Sequence, residues 1–195
     1  GYDEELYQEL LVLCRRIQYK SPHFLTKKYH DLAEKFYARL NVPAKLEVIS
    51  SEIELPPDTF SRFDSAIVQL VKNAFDHGCE GKSRGSFVVK LVYNRLGNEE
   101  QIIVKDNGVG IDPDVIAEKA LKRKLIQKLD LESLSDKEKV NLIFLQEFTQ
   151  KESVSITSGR GVGMSVVQTN VENLGGTIEV SSAKDEGAVF TIRVP

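Results

Sequence analysis

VKDNGVGI, residues 104–111, is the segment that decides the fold: the end of a strand runs directly into the pattern Asp-x-Gly-x-Gly. Glycines at this spacing let the backbone turn tightly and approach a ligand closely. The carboxylate of Asp106 can accept a hydrogen bond from an exocyclic amine. A plain glycine-rich turn is the alternative, whereas a calcium loop would need further acidic ligands. Asp106, Gly108 and Gly110 are therefore candidate ligand-binding residues.

Upstream of this segment, an amphipathic helix ends in a polar cluster, NAFDHG, at residues 73–78. The helix is predicted to begin at residues 56–58, Pro-Pro-Asp, and to continue to Gly78. Asn and Asp are poor helix formers because their side chains compete for backbone hydrogen bonds. The cluster is either a polar helix end before a glycine cap or part of a functional site. Its candidate residues are Asn73, Asp76 and His77.

Downstream, the glycine cluster SGRGVGM, residues 158–164, opens a predicted helix. Closely spaced glycines at a helix N-terminus favour anion binding, because unpaired N–H groups and the positive end of the helix dipole face the same point. The cluster is not a Walker phosphate loop, since no Gly-Lys-Ser or Gly-Lys-Thr follows. It also lacks the βαβ context of a dinucleotide fingerprint.

The rest of the pattern alternates helices with β-branched runs. Predicted strands span residues 45–50, 86–93, 101–105, 177–182 and 188–194. Predicted helices span residues 26–40, 56–78, 113–127, 136–144 and 162–174, and residues 150–159 are predicted to form a mobile loop. The fold class is α/β (α+β): a two-layer sandwich of a mixed, mainly antiparallel sheet with helices on one face.

The amino-terminal region carries an amphipathic stripe from Glu4 to Ile17, which would pack either on the domain itself or on a partner helix. A second stripe follows, with Thr26 as its predicted N-cap. We therefore divide the chain into a helical lead-in or linker at residues 1–25 and a main domain at residues 26–195, which the resemblance given below implies to be the catalytic domain.

Composition narrows the classes of function. The 195 residues carry a net charge of −3, which disfavours nucleic acid as a partner. Cys14 and Cys79 lie far apart without zinc-type spacing, and no apolar run is long enough to span or insert into a bilayer. A reducing, cytoplasmic location is expected.

The clusters, taken in order, resemble the sequence boxes of the GHKL ATP-binding superfamily, which comprises histidine kinases, DNA gyrase, Hsp90 and MutL. Residues 73–78 are similar to its N box, 104–111 to its G1 box and 158–164 to its G2 box. LIFLQEFT, residues 142–149, is similar to the F box of the kinase branch. The resemblance is closest to the chemotaxis histidine kinases, and it implies a Bergerat-type fold and a protein-histidine kinase that uses ATP and Mg²⁺.

The resemblance also implies roles for individual residues. Asn73 would ligate Mg²⁺, and Asp106 would bind the adenine amino group, with Gly108 and Gly110 giving the base and sugar room. Residues 148–158 would form a lid over ATP. The phosphates would be bound by Ser158, Gly159, Arg160, Gly161, Val162, Gly163 and Met164. Basic residues placed to approach the phosphates are Lys72, His77 and Lys119; the alternative for each is solvated surface charge. Asp76 is a further candidate for nucleotide binding. The candidate catalytic residues are Asn73, His77 and Lys119.

Four positions depart from the family pattern. Gln69 stands where these kinases usually carry His and the related ATPases a Glu base, and a neutral amide cannot abstract a proton. Glu147, Gln150 and Ser165 replace the residues usual in the F and G2 boxes. We expect altered behaviour of the lid, with binding retained.

The expected function is transfer of the γ-phosphoryl group of ATP to a histidine on a separate phosphoacceptor domain or chain. A response regulator would act downstream, and a receptor or coupling protein would act as a further partner. The alternatives are an ATPase of the same superfamily, a nucleotide-sensing module without phosphotransfer, and a serine-directed kinase.

Overall fold

Five β-branched runs form one sheet in the computed structural model, which describes residues 2–17, 23–37, 43–50, 57–78, 86–146, 148 and 163–195. The strands are β1 (Ala44–Ser50), β2 (Phe87–Leu96), β3 (Glu99–Asp106), β4 (Thr177–Ala183) and β5 (Gly187–Val194). Their order is β1-β2-β3-β5-β4, with β1 parallel to β2 and every other pair antiparallel. The predicted mixed, mainly antiparallel sheet is confirmed.

Among the described residues, seven α-helices accompany the sheet: α1 (Tyr2–Ile17), α2 (His23–Tyr37), α3 (Pro57–Asn73), α4 (Pro113–Lys122), α5 (Lys128–Leu131), α6 (Asp136–Asn141) and α7 (Met164–Glu172). A π-helical turn, Ala74–Gly78, continues α3, and a 3-10 turn, Leu142–Phe144, continues α6. A capping box opens α6, because the Ser135 hydroxyl accepts from the N–H of Glu138 and the Glu138 carboxylate accepts from the N–H of Ser135.

Two predicted helix boundaries are wrong. Helix α4 ends at Lys122 rather than at residue 127, because Lys124 adopts a left-handed φ of 60°. The N–H groups of Lys124 and Leu125 then bond to the carbonyls of Leu121 and Ala120, which closes the helix in a Schellman motif. Thr26 is not an N-cap: it lies inside α2, which begins at His23. The predicted domain boundary between residues 25 and 26 therefore falls within this helix.

The sheet buries one face only. Along β2, Phe87, Val89, Leu91 and Tyr93 are buried, while the exposed Lys90 lies on the opposite face. The buried face packs against Phe63, Ile67 and Leu70 of α3 and Val167 and Val171 of α7. Helices thus cover one face of an open sheet, and the polar cluster that ends α3 reaches the end of β3.

Helix α2 is attached to this core by a buried hydroxyl chain. The Tyr93 hydroxyl donates to the Tyr29 hydroxyl over 3.3 Å, and Tyr29 donates to Asp64 of α3 over 3.1 Å. Burial raises the pKa of both tyrosines, so both hydroxyls stay protonated. The ammonium of Lys28 pairs with the same Asp64 carboxylate. Helix α2 therefore packs as part of the domain.

Helix α1 differs from α2, because Leu6, Tyr7, Leu10 and Leu13 are each more than half exposed. Its predicted apolar stripe is present in the helix. Within the part of the chain that the structure describes, no helix is both long and apolar enough to cross a bilayer.

Candidate nucleotide-binding site

The end of α3 is held by an aromatic anchor. Phe75, in the π-helical turn, is 1% exposed and contacts the rings of Phe36, Tyr37 and Phe87 at centroid distances of 5.5, 5.7 and 5.6 Å. Because Phe75 faces the core, the following Asp76 and His77 are turned outward and are exposed. A π-helical turn inserted at a helix end is a feature often found at functional sites.

Asn73, the last residue of α3, is half-buried and contacts two other elements of the site. Its Nδ2 donates to the Met164 sulfur over 3.0 Å, and its Oδ1 accepts from Nε2 of Gln69 over 2.9 Å. Met164 is the first residue of α7 and is 4% exposed. Gly163, which precedes it, is buried and is the N-cap. The polar end of α3 thus meets the start of the helix that the glycine cluster opens.

Asp106 lies at the end of β3 and is 6% exposed. Its Oδ1 accepts from the N–H of Gly108 over 2.8 Å and from the N–H of Ala188 over 3.4 Å. Backbone donors on a carboxylate stabilise its charged form and fix its orientation. The structure therefore holds a buried, oriented carboxylate at the position that the sequence singles out.

Gly108 and Gly110 are needed for contacts within the protein. A Cβ on Gly108 would lie 2.0 Å from the carbonyl oxygen of Gly78, and that carbonyl accepts from the N–H of Val109 over 2.9 Å. Gly110 has φ +72°, and a Cβ there would lie 2.0 Å from the carbonyl oxygen of Ala183. The structure therefore explains both glycines by the approach of protein backbone, a reason that the sequence alone does not provide.

The turn between β4 and β5 also belongs to the site. The Ser182 hydroxyl accepts from the N–H of Ile111 over 2.8 Å and donates to the carbonyl of Gly187 over 2.6 Å. Asp185 donates its N–H to the carbonyl of Val109 over 2.6 Å. Sequence reasoning missed Ser182 and Gly187, because a serine in a strand and a glycine after a turn carry no specific signal.

An ion pair also links the end of residues 106–112 to the β4–β5 turn. Asp112, the N-cap of α4, accepts from the N–H groups of Val115 and Asp114, and its carboxylate lies 3.4 Å from the ammonium of Lys184 in the β4–β5 turn. The Val115 N–H, assisted by the Asp114 N–H and by Lys184, holds the pKa of Asp112 below its usual range. The glycine segment 106–112 is therefore linked to the hairpin at both ends.

Lys119, on α4, lies beside the F-box-like segment. Its ammonium is 5.2 Å from the centroid of the Phe148 ring, and Phe148 is 4% exposed. The guanidinium of Arg123, a residue that sequence reasoning missed, donates to the carbonyl of Phe148. The role of Lys119 toward phosphate remains a prediction, as do those of Lys72, which is half-buried, and of the exposed Asp76 and His77.

Five predicted phosphate-binding residues lie outside the described residues, and so does most of the predicted lid. They are Ser158, Gly159, Arg160, Gly161 and Val162. The described part of the site has two portions: Gln69, Asn73 and Met164 form one, and Asp106 with Gly108 and the hairpin turn forms the other. The π-helical turn joins them, because Asn73 precedes it and its last residue, Gly78, binds Val109.

The fold and this arrangement define the class as an ATP-binding α/β domain, and comparison with known proteins agrees. A family model described as "Histidine kinase-, DNA gyrase B-, and HSP90-like ATPase" matches residues 59–195. The chain therefore belongs to this family, and ATP is the nucleotide that the family uses. The resemblance predicted from the sequence boxes is confirmed.

Curated relatives come from the histidine kinases. The chain is 34% identical over 176 residues to "Chemotaxis protein CheA" of Bacillus subtilis (strain 168), covering 86% of this chain and 26% of that protein. It is 32% identical over 195 residues to "Sensor histidine kinase CheAY" of Helicobacter pylori, covering 96% of this chain and 24% of that protein. The chain thus spans about a quarter of the length of these relatives.

Solved structures with the same fold are histidine kinase domains. The catalytic domain of histidine kinase ThkA matches with a TM-score of 0.58 at 20% identity, covering 91% of this chain and 95% of that one. A blue-light activated histidine kinase of Erythrobacter litoralis matches with a TM-score of 0.54 at 18% identity, covering 88% of this chain and 41% of that one. The predicted two-layer fold is confirmed by these matches.

Proposed function

We propose that this domain binds Mg-ATP and transfers the γ-phosphoryl group to a histidine on a separate domain or chain. The observation that supports this most directly is the placement of two polar groups around one short element. The Asn73 amide precedes the π-helical turn, and the carbonyl of Gly78 at its end binds the segment that carries Asp106. This short turn thus connects the Asn73 amide, which is suited to a metal and phosphates, to the segment of Asp106, which is suited to a base.

The donor set fits magnesium bound together with a nucleotide. Mg²⁺ prefers oxygen ligands, keeps several waters and is commonly held by one or two protein groups plus substrate phosphates. Among the described residues, no group of three or more His, Cys, Asp or Glu side chains could hold a metal by itself. The Oδ1 of Asn73 would be the protein ligand, and the bound metal would neutralise charge on the transferred phosphoryl group.

The remaining steps belong to residues of the chain. Asp106 would accept from the exocyclic amine of adenine, and the glycines before α7 would present N–H groups to the phosphates. The lone pair of the acceptor imidazole forms a P–N bond while the bond from phosphorus to the β-phosphate oxygen breaks, and ADP leaves. A neutral imidazole attacks without prior loss of a proton, so the amide of Gln69 is compatible with this reaction.

The proposed partners follow from the reaction. A phosphoacceptor histidine domain would supply the imidazole, a response regulator would receive the phosphoryl group afterwards, and a receptor or coupling protein would control the rate. We also propose that the reaction occurs in the cytoplasm, where ATP is available. Curated relatives with about four times the length of this chain are consistent with such additional domains.

Calorimetry with a non-hydrolysable ATP analogue, in Mg²⁺ and in EDTA, tests the roles of Asn73 and Asp106 separately. Asn73→Ala is expected to abolish most of the gain in affinity that Mg²⁺ provides, with little change in EDTA. Asp106→Asn is expected to weaken binding about 10- to 100-fold under both conditions, because it removes a hydrogen bond to a charged acceptor. Unchanged Mg²⁺-dependent binding in Asn73→Ala would refute the metal assignment.

Phosphotransfer is measured separately with γ-labelled ATP and an isolated phosphoacceptor histidine domain. The proposed function predicts acid-labile label on the acceptor and little release of phosphate without it. Steady hydrolysis in the absence of an acceptor would instead support an ATPase. Binding without any label on the acceptor would support a nucleotide-sensing module.

A further inference from the structure

The amide of Asn73 is held at both of its ends. Gln69 lies one helical turn before it on α3, so the two side chains are neighbours on the same helix face. The Gln69 Nε2 donates to Oδ1 of Asn73 over 2.9 Å, while Nδ2 of Asn73 donates to the Met164 sulfur over 3.0 Å. The orientation of the Asn73 amide is therefore set by one neighbour on its own helix and one on α7.

The chemistry of these neighbours permits only one orientation. A thioether sulfur accepts hydrogen bonds weakly and cannot donate, so the NH₂ group of Asn73 faces Met164. Met164 is 4% exposed at the start of α7, which keeps the sulfur in place. The amide oxygen of Asn73 then faces the other way, where a side chain with an N–H or O–H group can satisfy it. Gln69 supplies that donor.

We propose that Gln69 is a positioning residue that fixes the Asn73 amide for metal binding. The inference rests on the proposed function, in which Oδ1 of Asn73 ligates Mg²⁺. An amide oxygen has two acceptor sites, so the hydrogen bond from Gln69 leaves one for the cation. Without this donor the Asn73 amide, whose terminal torsion has broad preferences, populates several orientations and presents its oxygen only part of the time.

Gln69→Met tests the inference, because methionine has a similar length and no donor. Calorimetry with the non-hydrolysable analogue should show the Mg²⁺-dependent gain in affinity reduced about fivefold, the size expected for one amide hydrogen bond. Affinity in EDTA should not change. Ser65→Met, at an exposed position on α3, is the matched control and should alter none of these quantities.

A double-mutant cycle with Asn73→Ala tests the positioning role of Gln69 separately from the proposed role of Asn73 as metal ligand. In the Asn73→Ala background, Gln69→Met should have no further effect on the Mg²⁺-dependent gain. If Asn73→Ala removes the gain and Gln69→Met in the parent leaves it intact, the positioning role is refuted and the proposed function survives. An equal loss of affinity in Mg²⁺ and in EDTA would also refute positioning. If Asn73→Ala itself keeps the gain, the proposed metal ligand is wrong.

Discussion

The two portions of the site are held by different kinds of contact. On the hairpin side, residues 106–112 are attached to Gly78 and to the β4–β5 turn by backbone hydrogen bonds, the half-buried Ser182 hydroxyl and glycines without room for a Cβ. On the helix side, Asn73 is held by an amide and a thioether. The hairpin side is thus built into the sheet, while the helix side depends on a few side chains that can rearrange.

Under the proposed function, this difference would suit the two parts of a nucleotide. A rigid base is recognised best by groups whose positions are set before binding, since pre-organisation lowers the entropic cost. Phosphates and their metal change charge and coordination during transfer, and side-chain contacts adapt to such change more readily than backbone contacts. Substitutions on the hairpin side should therefore affect folding, whereas those on the helix side should affect metal-dependent binding.

Gly108→Ala should have the largest effect on stability. The added Cβ would lie 2.0 Å from the carbonyl oxygen of Gly78, so the segment must move, and the hydrogen bond from the Val109 N–H to that carbonyl is lost. We expect a loss of about 3 kcal/mol in the free energy of unfolding, measured by urea denaturation. Gly97→Ala is the control: its φ is +65° but nothing lies within 4 Å, so it should cost only about 1 kcal/mol. Equal losses in both variants would contradict the close-contact explanation.

Ser182→Ala should have an intermediate effect. It removes the hydroxyl that accepts from Ile111 and donates to Gly187, which leaves two backbone groups without this partner. The expected loss is about 1–2 kcal/mol in the free energy of unfolding. Ser181→Ala, at the exposed neighbouring position of β4, should change stability by less than about 0.5 kcal/mol. If Ser182→Ala were as mild as this control, the hairpin side would not depend on its hydroxyl.

Asp112→Asn should have the smallest effect and should depend on pH. Asparagine keeps the N-cap but removes the charge that pairs with Lys184. Because the folded pKa of Asp112 is lowered, its charge stabilises the fold above the ordinary pKa, and this contribution is lost as pH falls through the folded value. Urea midpoints of parent and variant should differ at pH 7 and converge in acid. Glu186→Gln, at an exposed position, is the control, and its urea midpoint should stay close to that of the parent at every pH. A midpoint difference for Asp112→Asn that did not change with pH would contradict the ion pair.

Much of the fold is predictable from local pattern. Strand positions follow from β-branched runs, the turn at residues 97–98 from its Gly-Asn pair, and the start of α6 from its capping box. The end of α4 is not predictable, because Lys124 adopts a left-handed φ without the glycine that usually signals it. The short α5 also escapes prediction, since four residues carry too little periodicity.

The site is predictable in its members but not in its contacts. Asn73, Asp106 and the glycines stand out because their residue types are costly or unusual at those places. Ser182, Gln69 as a donor, and Arg123 do not stand out, because each acts through a partner that is distant in sequence or through one hydrogen bond on a helix surface. Such roles depend on which elements the topology brings together.

The sequence by itself determined the class of this protein. Ordered clusters of polar residues and glycines at helix ends and at a strand end indicate an ATP-binding domain, because these residue types reduce local stability and are found where chemistry requires them. Tertiary structure alone decided how the site is supported. The order β3-β5-β4 places the hairpin turn against residues 106–112, and the packing of α3 on α7 places Met164 against Asn73. Such contacts join segments far apart in the chain, and no local pattern encodes them.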